Sequence, residues 1–569
     1  MNPPFKYRIG AFKAFMPDWA RFTTLLLALL LFQVSGAVYL GLLMEMVGDT
    51  GFTTEDVKML AGASFCGTTV MFPLLFRLKF RFMSKQLLLA AGTVVILGNL
   101  VMLQSRCLPL LLATSFVVGM GTLLGIFECV SSIQLVVTPT RNLAVFFSFL
   151  FLCVLGSIQL SGLLSAYCAD AADWRRMHLT IVAAHTVVLL FLAATMRPFR
   201  FMKKMPLYGI DWLGLALWGA LLLVVNFILE YGRRLDWLDS EAIRAAIAAA
   251  IVLGACTWLR MMTARRPYLS PSLLHYRNLR VGFVLYIGMQ LLLAPSNVVL
   301  PAFTGAFLHY DLLHSASLNW AVLGGIVCGA ALCRHWLASC NGAFKPLVLA
   351  GFFCLTASCL LLHGLIAPSI PKESLYLPFA LRGAGQAILF ISLNVYMASQ
   401  LPFAQVMSGV MVFGIVRTAI GGTFANSVTS QLLEYFYKGH RMVLGQGLDA
   451  VDSLANSLQQ GAAANIASHG HSVEEAWRGA TGMLYGKVHL QAMLVSWKDL
   501  LAWWTLLGVL IMVGIAAYRY VRHTGRHLPT MLQMAARLNP LRAITRQRPI
   551  PSPTPVVPTP TTPAPSTSL

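Results

Sequence analysis

The feature that most constrains this chain is a series of apolar segments of about 20 residues, separated by short connections that carry most of the Lys and Arg. A helix of about 20 apolar residues crosses about 30 Å of hydrocarbon, since each residue rises about 1.5 Å. Of the 569 residues, 57% are hydrophobic and only 11% are charged, whereas soluble domains carry about 25% charged residues. The sequence therefore predicts a polytopic α-helical membrane protein.

Fourteen such segments follow one another along the chain. Their approximate limits are 22–44, 57–76, 86–105, 110–138, 143–167, 177–196, 210–230, 242–262, 280–303, 316–337, 346–367, 375–398, 408–433 and 499–519. Lys and Arg are concentrated before the first segment and after every second one, which by the positive-inside rule predicts both termini in the cytoplasm. Membrane topology thus explains the formal charge of +21, and we expect no nucleic-acid binding.

One span carries a carboxylate well inside it. Residues 110–138 read LLLATSFVVGMGTLLGIFECVSSIQLVVT, with Glu128 roughly ten residues before the basic end. An ionisable side chain at membrane depth costs about 2.5–3.5 kcal/mol unless it is paired or hydrated, so Glu128 is a candidate functional residue. Counted from the same side, Arg417 lies at a similar depth. We expect Glu128 either to carry a coupled proton or to form a charge latch with Arg81 or Arg417 in one conformation.

Other polar side chains near the middle of spans are candidates to line a substrate cavity between two halves of a transporter. They are Gln33, Gln159, Gln290, Asn297, Arg382, Asn394 and Asn426. A neutral amide side chain can equally well form a hydrogen bond between two helices. The sequence leaves both interpretations open.

The sequence contains no pattern typical of an enzyme, cofactor or metal site. No hydrolase, kinase or dinucleotide-binding motif occurs in the strand–turn–helix setting that it requires, and no Cys/His spacing indicates a metal. The histidines within spans, His185 and His363, are isolated. We therefore expect no enzymatic activity, no cofactor and no metal.

A family resemblance is carried by three stretches: IDWLGLALWGALLLVVNFILEYGRRLDWLDS, the following RRPYLSPSLLHYRNLRVGF, and LRGAGQAILFISLNVYMASQLPFAQVMSGVMVFGIVRTAIGGTFANSV. The chain resembles the fourteen-helix drug:proton antiporter family of the major facilitator superfamily, which includes EmrB- and QacA-like exporters. The resemblance covers residues 15–525. Its most specific element is the central hairpin, the first of the three stretches.

The resemblance implies an all-α polytopic membrane protein with the major facilitator fold, in which two central helices are inserted between two six-helix bundles. The implied parts are a cytoplasmic N-terminus (1–21), a first bundle (22–196), the insertion with its basic flanks (197–278), a second bundle with a long outer loop at 436–498 (279–522), and a basic, then Pro/Thr-rich tail (523–569). The Pro/Thr-rich end of the tail is expected to be disordered and cytoplasmic.

The resemblance also implies secondary active transport by alternating access, with proton-coupled export of lipophilic or amphiphilic compounds across the inner membrane as the leading hypothesis. Uptake of a specific organic metabolite and a transport-inactive sensor or scaffold are the alternatives. The implied partners are a small-molecule substrate, protons and the lipid bilayer. By analogy with EmrB-like exporters, the loop 436–498 is a candidate contact for a periplasmic adaptor protein.

Several family motifs are altered in this sequence. After span 2, Phe80 stands where the family has an acid, although Arg81 is kept. Ser115 stands at the usual Arg of span 4, and Ser35 at the usual Asp of span 1. The stretch SGLLSA at 161–166 lacks the Pro of the antiporter motif. These changes leave the expected fold intact but remove the groups by which the family usually couples protons.

Overall fold

A computed structural model describes the chain at residues 11–36, 43–138, 143–171, 174–200, 207, 209–339, 344–399, 401–446 and 453–518. The tail expected at 523–569 and the first ten residues of the expected N-terminal segment lie outside these described residues. Within these residues the regular elements are helices. In addition, Phe12 and Met196 form one isolated antiparallel β-bridge.

Fourteen of the described helices are long and apolar enough to cross a membrane. They are α1 (Asp18–Gly36), α2 (Thr54–Arg81), α3 (Ser84–Gln104), α4 (Leu108–Gln134), α5 (Ala144–Cys168), α6 (Trp174–Thr195), α7 (Trp212–Tyr231), α8 (Glu241–Thr263), α9 (Arg277–Gly305), α10 (Leu312–Leu337), α11 (Phe344–Leu365), α12 (Glu373–Ala398), α13 (Gln405–Gln446) and α14 (Val473–Ala517). The prediction of an all-helical membrane protein with fourteen spans is confirmed.

Consecutive spans run in opposite directions, so their connections alternate between two faces of the molecule. We call the face with the connections after α2, α6 and α8 the basic face, because Lys and Arg are concentrated there. The opposite face, with the connections after α1, α7 and α13, is called the far face.

Helix α2 is longer than its apolar run. It starts at a capping box in which the Thr53 hydroxyl accepts from the Asp56 amide and the Asp56 carboxylate accepts from the Thr53 amide. Pro73 lies at the start of a short 3₁₀ stretch, Phe72–Leu74, after which the helix continues to Arg81. The basic residues expected in a loop after residue 76 therefore stand on a helix, where each side chain has a fixed direction.

The segment expected as a mixed-polar loop at 436–498 is mostly helical. Helix α13 continues to Gln446, and α14 begins at Val473 behind a capping box between Ser472 and Glu475. Between them, helix Ser453–Ser468 packs against α14. Because α14 has 45 residues, it is about 68 Å long, more than twice the hydrocarbon thickness. This part of the chain projects well beyond the membrane on the far face.

Helices α2 and α4 cross at a pair of glycines. A Cβ added to Gly67 would lie closer than 3.0 Å to the Phe116 carbonyl of α4, and one added to Gly119 equally close to the Ser64 carbonyl of α2. Each glycine thus faces a backbone carbonyl of the partner helix, three residues before the glycine of that helix. Small residues allow such close backbone contact, on which helix association in lipid depends.

The same crossing recurs eight helices later, between α10 and α12. A Cβ added to Gly325 would lie closer than 3.0 Å to the Ala380 carbonyl, and one added to Gly383 equally close to the Val322 carbonyl. Each glycine again faces the carbonyl three residues before its partner. We propose that this repetition marks two six-helix units, α1–α6 and α9–α14, with α7 and α8 inserted between them.

Two adjacent glycines on α10 provide a matched test of this crossing. Gly325→Ala places a methyl group against the α12 backbone, whereas nothing lies within 4 Å of a Cβ added to Gly324. Both substitutions improve helix propensity by about 1 kcal/mol, but forced overpacking costs about 1–3 kcal/mol. We expect Gly325→Ala to lower the melting temperature of the purified protein in detergent and Gly324→Ala to leave it unchanged or raise it. Equal melting temperatures would contradict the close crossing.

The helices α7 and α8 pack on each other, and α7 also packs on α2. Gly62 of α2 makes room for the buried amide of Asn226 on α7. The Tyr231 hydroxyl at the end of α7 donates to the Asp56 carboxylate. The insertion is therefore attached to a helix that also contacts the second half of the chain.

Among the contacts that join the chain halves, two stand out: α5 against α10, and α2 against the start of α13. In the first, Gly156 and Gly162 of α5 lie against side chains of α10. In the second, the Thr69 hydroxyl lies 3.0 Å from the Thr418 hydroxyl and donates to the Gly414 carbonyl at 3.3 Å. Since α10 and α13 stand eight helices after α2 and α5, the two lines are equivalents in the proposed repeat.

Candidate transport site

Glu128 forms a buried ion pair with Lys79. The Lys79 Nζ lies 3.2 Å from Oε1 and 3.1 Å from Oε2 of Glu128, and it also donates to the Ser131 hydroxyl. Glu128 is 0% exposed and Lys79 is 6% exposed. Both residues belong to the first half of the chain. The intramembrane carboxylate is thus neutralised within its own half.

The helical extension of α2 explains why Lys79 reaches this site. Met71, Leu75 and Lys79 follow one another at four-residue spacing, and all three are buried. Residues four apart share one face of a helix, so Lys79 continues an apolar, inward-facing stripe. Sequence analysis missed this residue because it ended the second span near residue 76. The spacing of four was the signal that could have found it.

The other two members of the predicted charge group lie elsewhere. In this conformation neither Arg81 nor Arg417 is the partner of Glu128, which corrects the partner expected from depth alone. Arg81 stands two residues after Lys79, so the helix turns it away from the buried face. Depth along a span does not specify the direction of a side chain around the helix.

Arg417 instead reaches across the boundary between the two halves. Its guanidinium lies 5.8 Å from the ring centroid of Phe72 on α2 and 5.8 Å from that of Phe151 on α5. The Phe151 ring also contacts the Phe390 ring of α12 at 5.9 Å. Within the described residues Arg417 has no carboxylate partner. Cation–π contacts therefore hold this charge at the interface.

The backbone that carries Arg417 is a π-helical turn, Ile415–Ala419, inside α13. This turn brings the Val416 carbonyl closer than 3.0 Å to where a Cβ of Gly421 would stand, so glycine is required there. Gln290 of α9 donates to the carbonyls of Val416 at 3.2 Å and Arg417 at 2.8 Å. The amide predicted to contact substrate thus stabilises the turn in this conformation.

Asn394 is likewise engaged within the second half. Its amide donates to the Phe390 carbonyl at 2.7 Å and to the hydroxyl of the fully buried Tyr286. The Tyr286 ring packs edge-on against Phe413, with 4.9 Å between centroids. Gln290 and Tyr286, one helical turn apart on α9, therefore both support the segment of α13 that carries Arg417.

Four more of the predicted substrate-binding residues occupy two separate places. Arg382 of α12 donates to the Asn297 side chain of α9 at 2.6 Å, and Arg382 has no ion pair within the described residues. Gln33 and Gln159 are half-buried on α1 and α5. These two helices are joined nearby by a hydrogen bond from the Ser161 hydroxyl to the Val34 carbonyl.

A second acid at a helix end was not singled out from the sequence. Glu230 is half-buried at the far-face end of α7, in the neighbourhood of Thr423 of α13 and of Lys58 and Glu55 of α2. Its position at the end of the run VVNFILEYGRR was the available signal. Among the described residues no group of three or more His, Cys, Asp and Glu could hold a metal ion.

Sequence comparison connects the chain to export proteins. It is 23% identical over 300 residues to the colistin resistance protein EmrB of Acinetobacter baumannii, covering 52% of this chain and 56% of that protein. It is 25% identical over 234 residues to the multidrug export protein EmrB of Haemophilus influenzae, covering 39% and 43% respectively. The chain thus spans about half the length of the curated relatives it matches. No family model matches the sequence.

Structure comparison shows the fold. The peptide transporter PepTSo2 superposes with a TM-score of 0.52 at 11% identity, covering 87% of this chain and 97% of that chain. The nucleoside transporter NupG gives a TM-score of 0.51 at 10% identity, covering 87% and 99%. The chain has the fold of the major facilitator transporters. Both comparisons are consistent with the resemblance to EmrB-like exporters.

Proposed function

We propose that this chain is a secondary active transporter that exports lipophilic or amphiphilic compounds by alternating access. The printed names of both curated relatives refer to resistance or export, which favours efflux over the uptake carrier and over a transport-inactive scaffold. Transport requires that the two halves of the molecule separate on one face while they close on the other.

The observation that carries the proposal is the chemistry of the contact between α2 and α13. In it the Thr69 and Thr418 hydroxyls meet, and the Arg417 guanidinium lies over Phe72 of α2. Two neighbouring contacts are the Arg417 guanidinium over Phe151 of α5, and the Tyr268 hydroxyl, from the connection after α8, donating to the Val70 carbonyl of α2. Burial raises the pKa of the Tyr268 hydroxyl, so it remains a donor. Such contacts are few and separable, unlike the glycine-mediated crossings within each half. They suit a boundary that opens on the basic face.

We assign the basic face to the cytoplasm, which places both termini there and the protein in the inner membrane. The projection formed by α13, Ser453–Ser468 and α14 then lies in the periplasm. Its exposed apolar side chains include Trp477, Met483 and Tyr485. We place the proposed adaptor contact on this projection, and copurification of a partner with the full chain tests it.

For proton coupling, Glu230 is better placed than Glu128. A coupling acid must gain and lose a proton during the cycle, whereas protonation of Glu128 would leave Lys79 buried and charged, which is costly. Glu230 is half-buried at the far face and lies near groups of α2 and α13, which belong to opposite halves. We therefore assign the exchangeable proton to Glu230 and a positioning role to Glu128.

Proteoliposome transport of a lipophilic fluorescent dye tests both assignments. We expect an imposed pH gradient, acidic inside, to drive dye uptake through the purified protein, and we expect Glu230→Gln to abolish the stimulation by the gradient. Glu474→Gln is the matched control, because Glu474 is an exposed carboxylate on the projection. Dye flux equal with and without the gradient would contradict proton coupling, and no protein-dependent flux would contradict transport itself.

A further inference from the structure

A cleft of about 1100 Å³ opens on the far face where α2, α7, α13 and α14 meet. One wall consists of Glu55 at the start of α2 with Arg233 and Arg234 directly after α7. The opposite walls belong to α13, including Arg441, and to α14, including Trp497. Because α7 is part of the inserted pair, the insertion supplies two arginines to a cleft between the two halves.

Basic side chains outnumber acids around this cleft. The charged residues that line it are Arg233, Arg234, Lys438, Arg441, Glu55 and Glu434. Lys438 is the best compensated of the cations, with its Nζ 2.8 Å from Glu434 and Asp236 close by. His489 is engaged by the Tyr437 hydroxyl. The balance of charge facing the cleft is therefore positive.

The three arginines retain free donor groups. The nearest carboxylate oxygens lie 4.0 Å from Arg233 and 4.0 Å from Arg234, beyond the hydrogen-bond range of about 2.7–3.2 Å. In the described part of the chain, Arg441 has no ion pair, and none of the three guanidinium groups makes a hydrogen bond. A guanidinium carries five N–H donors in a planar fork that matches carboxylate or phosphate oxygens.

Part of the lining is apolar. Leu433 and Met442 of α13 and Met493 and Trp497 of α14 face the cleft. Met is flexible and polarisable, so it adapts to ligands of different shape. A basic rim beside an apolar wall matches a molecule with an anionic head and an apolar tail.

We propose that this cleft is a binding site for anionic amphiphiles. The guanidinium groups of Arg233, Arg234 and Arg441 take the carboxylate, sulfonate or phosphate head, and the tail lies against Met442 and Met493. The head belongs either to an exported compound on its way out or to a membrane phospholipid, and the two share this chemistry. Only the assignment to an exported compound rests on the proposed transport function.

The charges deeper in the membrane are consistent with an anionic ligand. Arg382 and Arg417 lie near the middle of their spans without a carboxylate partner among the described residues, whereas Glu128 is neutralised by Lys79. Positive groups in a medium of low dielectric constant attract anions strongly. These two arginines therefore favour an anionic over a cationic ligand within the spans.

Binding of radiolabelled dodecyl phosphate to the purified full chain in phosphatidylcholine nanodiscs tests the site. The matched cationic probe is dodecyltrimethylammonium, and the matched control variant is Arg478→Gln, which removes an exposed arginine of the same face outside the cleft. We expect Arg233→Gln/Arg234→Gln to raise the Kd for dodecyl phosphate at least tenfold, with no change for the cationic probe. Arg441→Gln alone, on an exposed helix surface, is expected to raise it severalfold.

An unchanged Kd in both variants, or equal losses for the two probes, would overturn the proposal. Adding phosphatidylglycerol to the nanodiscs distinguishes the two sources of the anionic head. If phosphatidylglycerol competes with dodecyl phosphate, the site binds a membrane phospholipid. If it does not compete, the site binds an exported compound. If dodecyl phosphate binds as expected but no dye is transported, the proposed function fails while the site remains.

Discussion

Removing the charge from only one member of the Lys79–Glu128 pair is expected to destabilise the protein by about 3–5 kcal/mol, because the other charge is left buried without a counterion. Glu128→Gln leaves the Lys79 ammonium facing a neutral amide, and Lys79→Met leaves the buried Glu128 carboxylate without its cation. Replacing both charges by neutral groups of similar shape is often nearly neutral. We therefore expect Lys79→Met/Glu128→Gln to recover most of the lost stability.

Thermal and denaturant unfolding of the purified variants in detergent measures this effect. Arg81→Met is the matched control: it removes a cation two residues away that has no carboxylate partner within the described residues, and we expect less than about 1 kcal/mol of change. If the double variant shows the sum of the two single losses, the pair is not a coupled unit and its assignment is wrong.

The same variants separate a positioning role of Glu128 from a proton-carrying role. If Glu128 only holds α4 against the end of α2, transport by Glu128→Gln falls at every pH and returns in the double variant. If Glu128 carries the coupled proton, the double variant folds but its transport no longer responds to pH. A pH profile of dye transport for the wild type and the double variant distinguishes the two outcomes.

Arg417→Gln is expected to reduce transport at least tenfold. A desolvated cation–π contact contributes about 2 kcal/mol, and the Arg417 guanidinium lies over two rings that belong to the opposite half of the chain. A loss of about 1.4 kcal/mol in one conformation shifts its population tenfold. Weakening this contact therefore removes the state that is closed on the basic face.

The chemistry of the contact predicts a graded series. Arg417→Lys keeps the charge but loses the planar guanidinium that stacks on aromatic rings, so we expect an intermediate defect. A double-mutant cycle with Phe72→Leu is expected to show a coupling energy above about 0.5 kcal/mol, measured as dye transport rate and as melting temperature. Arg334→Gln on the exposed surface of α10 is the control. Additive effects of Arg417→Gln and Phe72→Leu would contradict the contact.

The departures from the family pattern acquire a physical meaning in the structure. Phe80 replaces the usual acid after span 2, but its neighbour Lys79 is the residue turned inward, and it pairs with the acid of α4. Ser115, at the usual arginine of α4, is fully buried among apolar helices. The chain therefore keeps one opposite-charge contact between α2 and α4 while it has lost the family's charged groups nearby.

The sequence by itself determined the class and the span count. Apolar runs of about 20 residues have no alternative to crossing a bilayer, and their backbone groups must bond within each helix. Glu128 was recognisable as an intramembrane charge that requires a partner. Each of these conclusions depends on composition and spacing along the chain, which are properties that a sequence contains directly.

Only the tertiary structure decided which groups meet. Lys79, rather than Arg81 or Arg417, reaches Glu128 because α2 continues past its apolar run and rotates that side chain inward. Gln290 and Asn394 are bound to neighbouring helices, and Arg417 crosses between halves, because a π-helical turn and the crossing of α2 with α13 set their directions. Depth in the membrane follows from residue number at about 1.5 Å per residue. Which partner a side chain meets depends also on its direction around the helix and on how the helices pack.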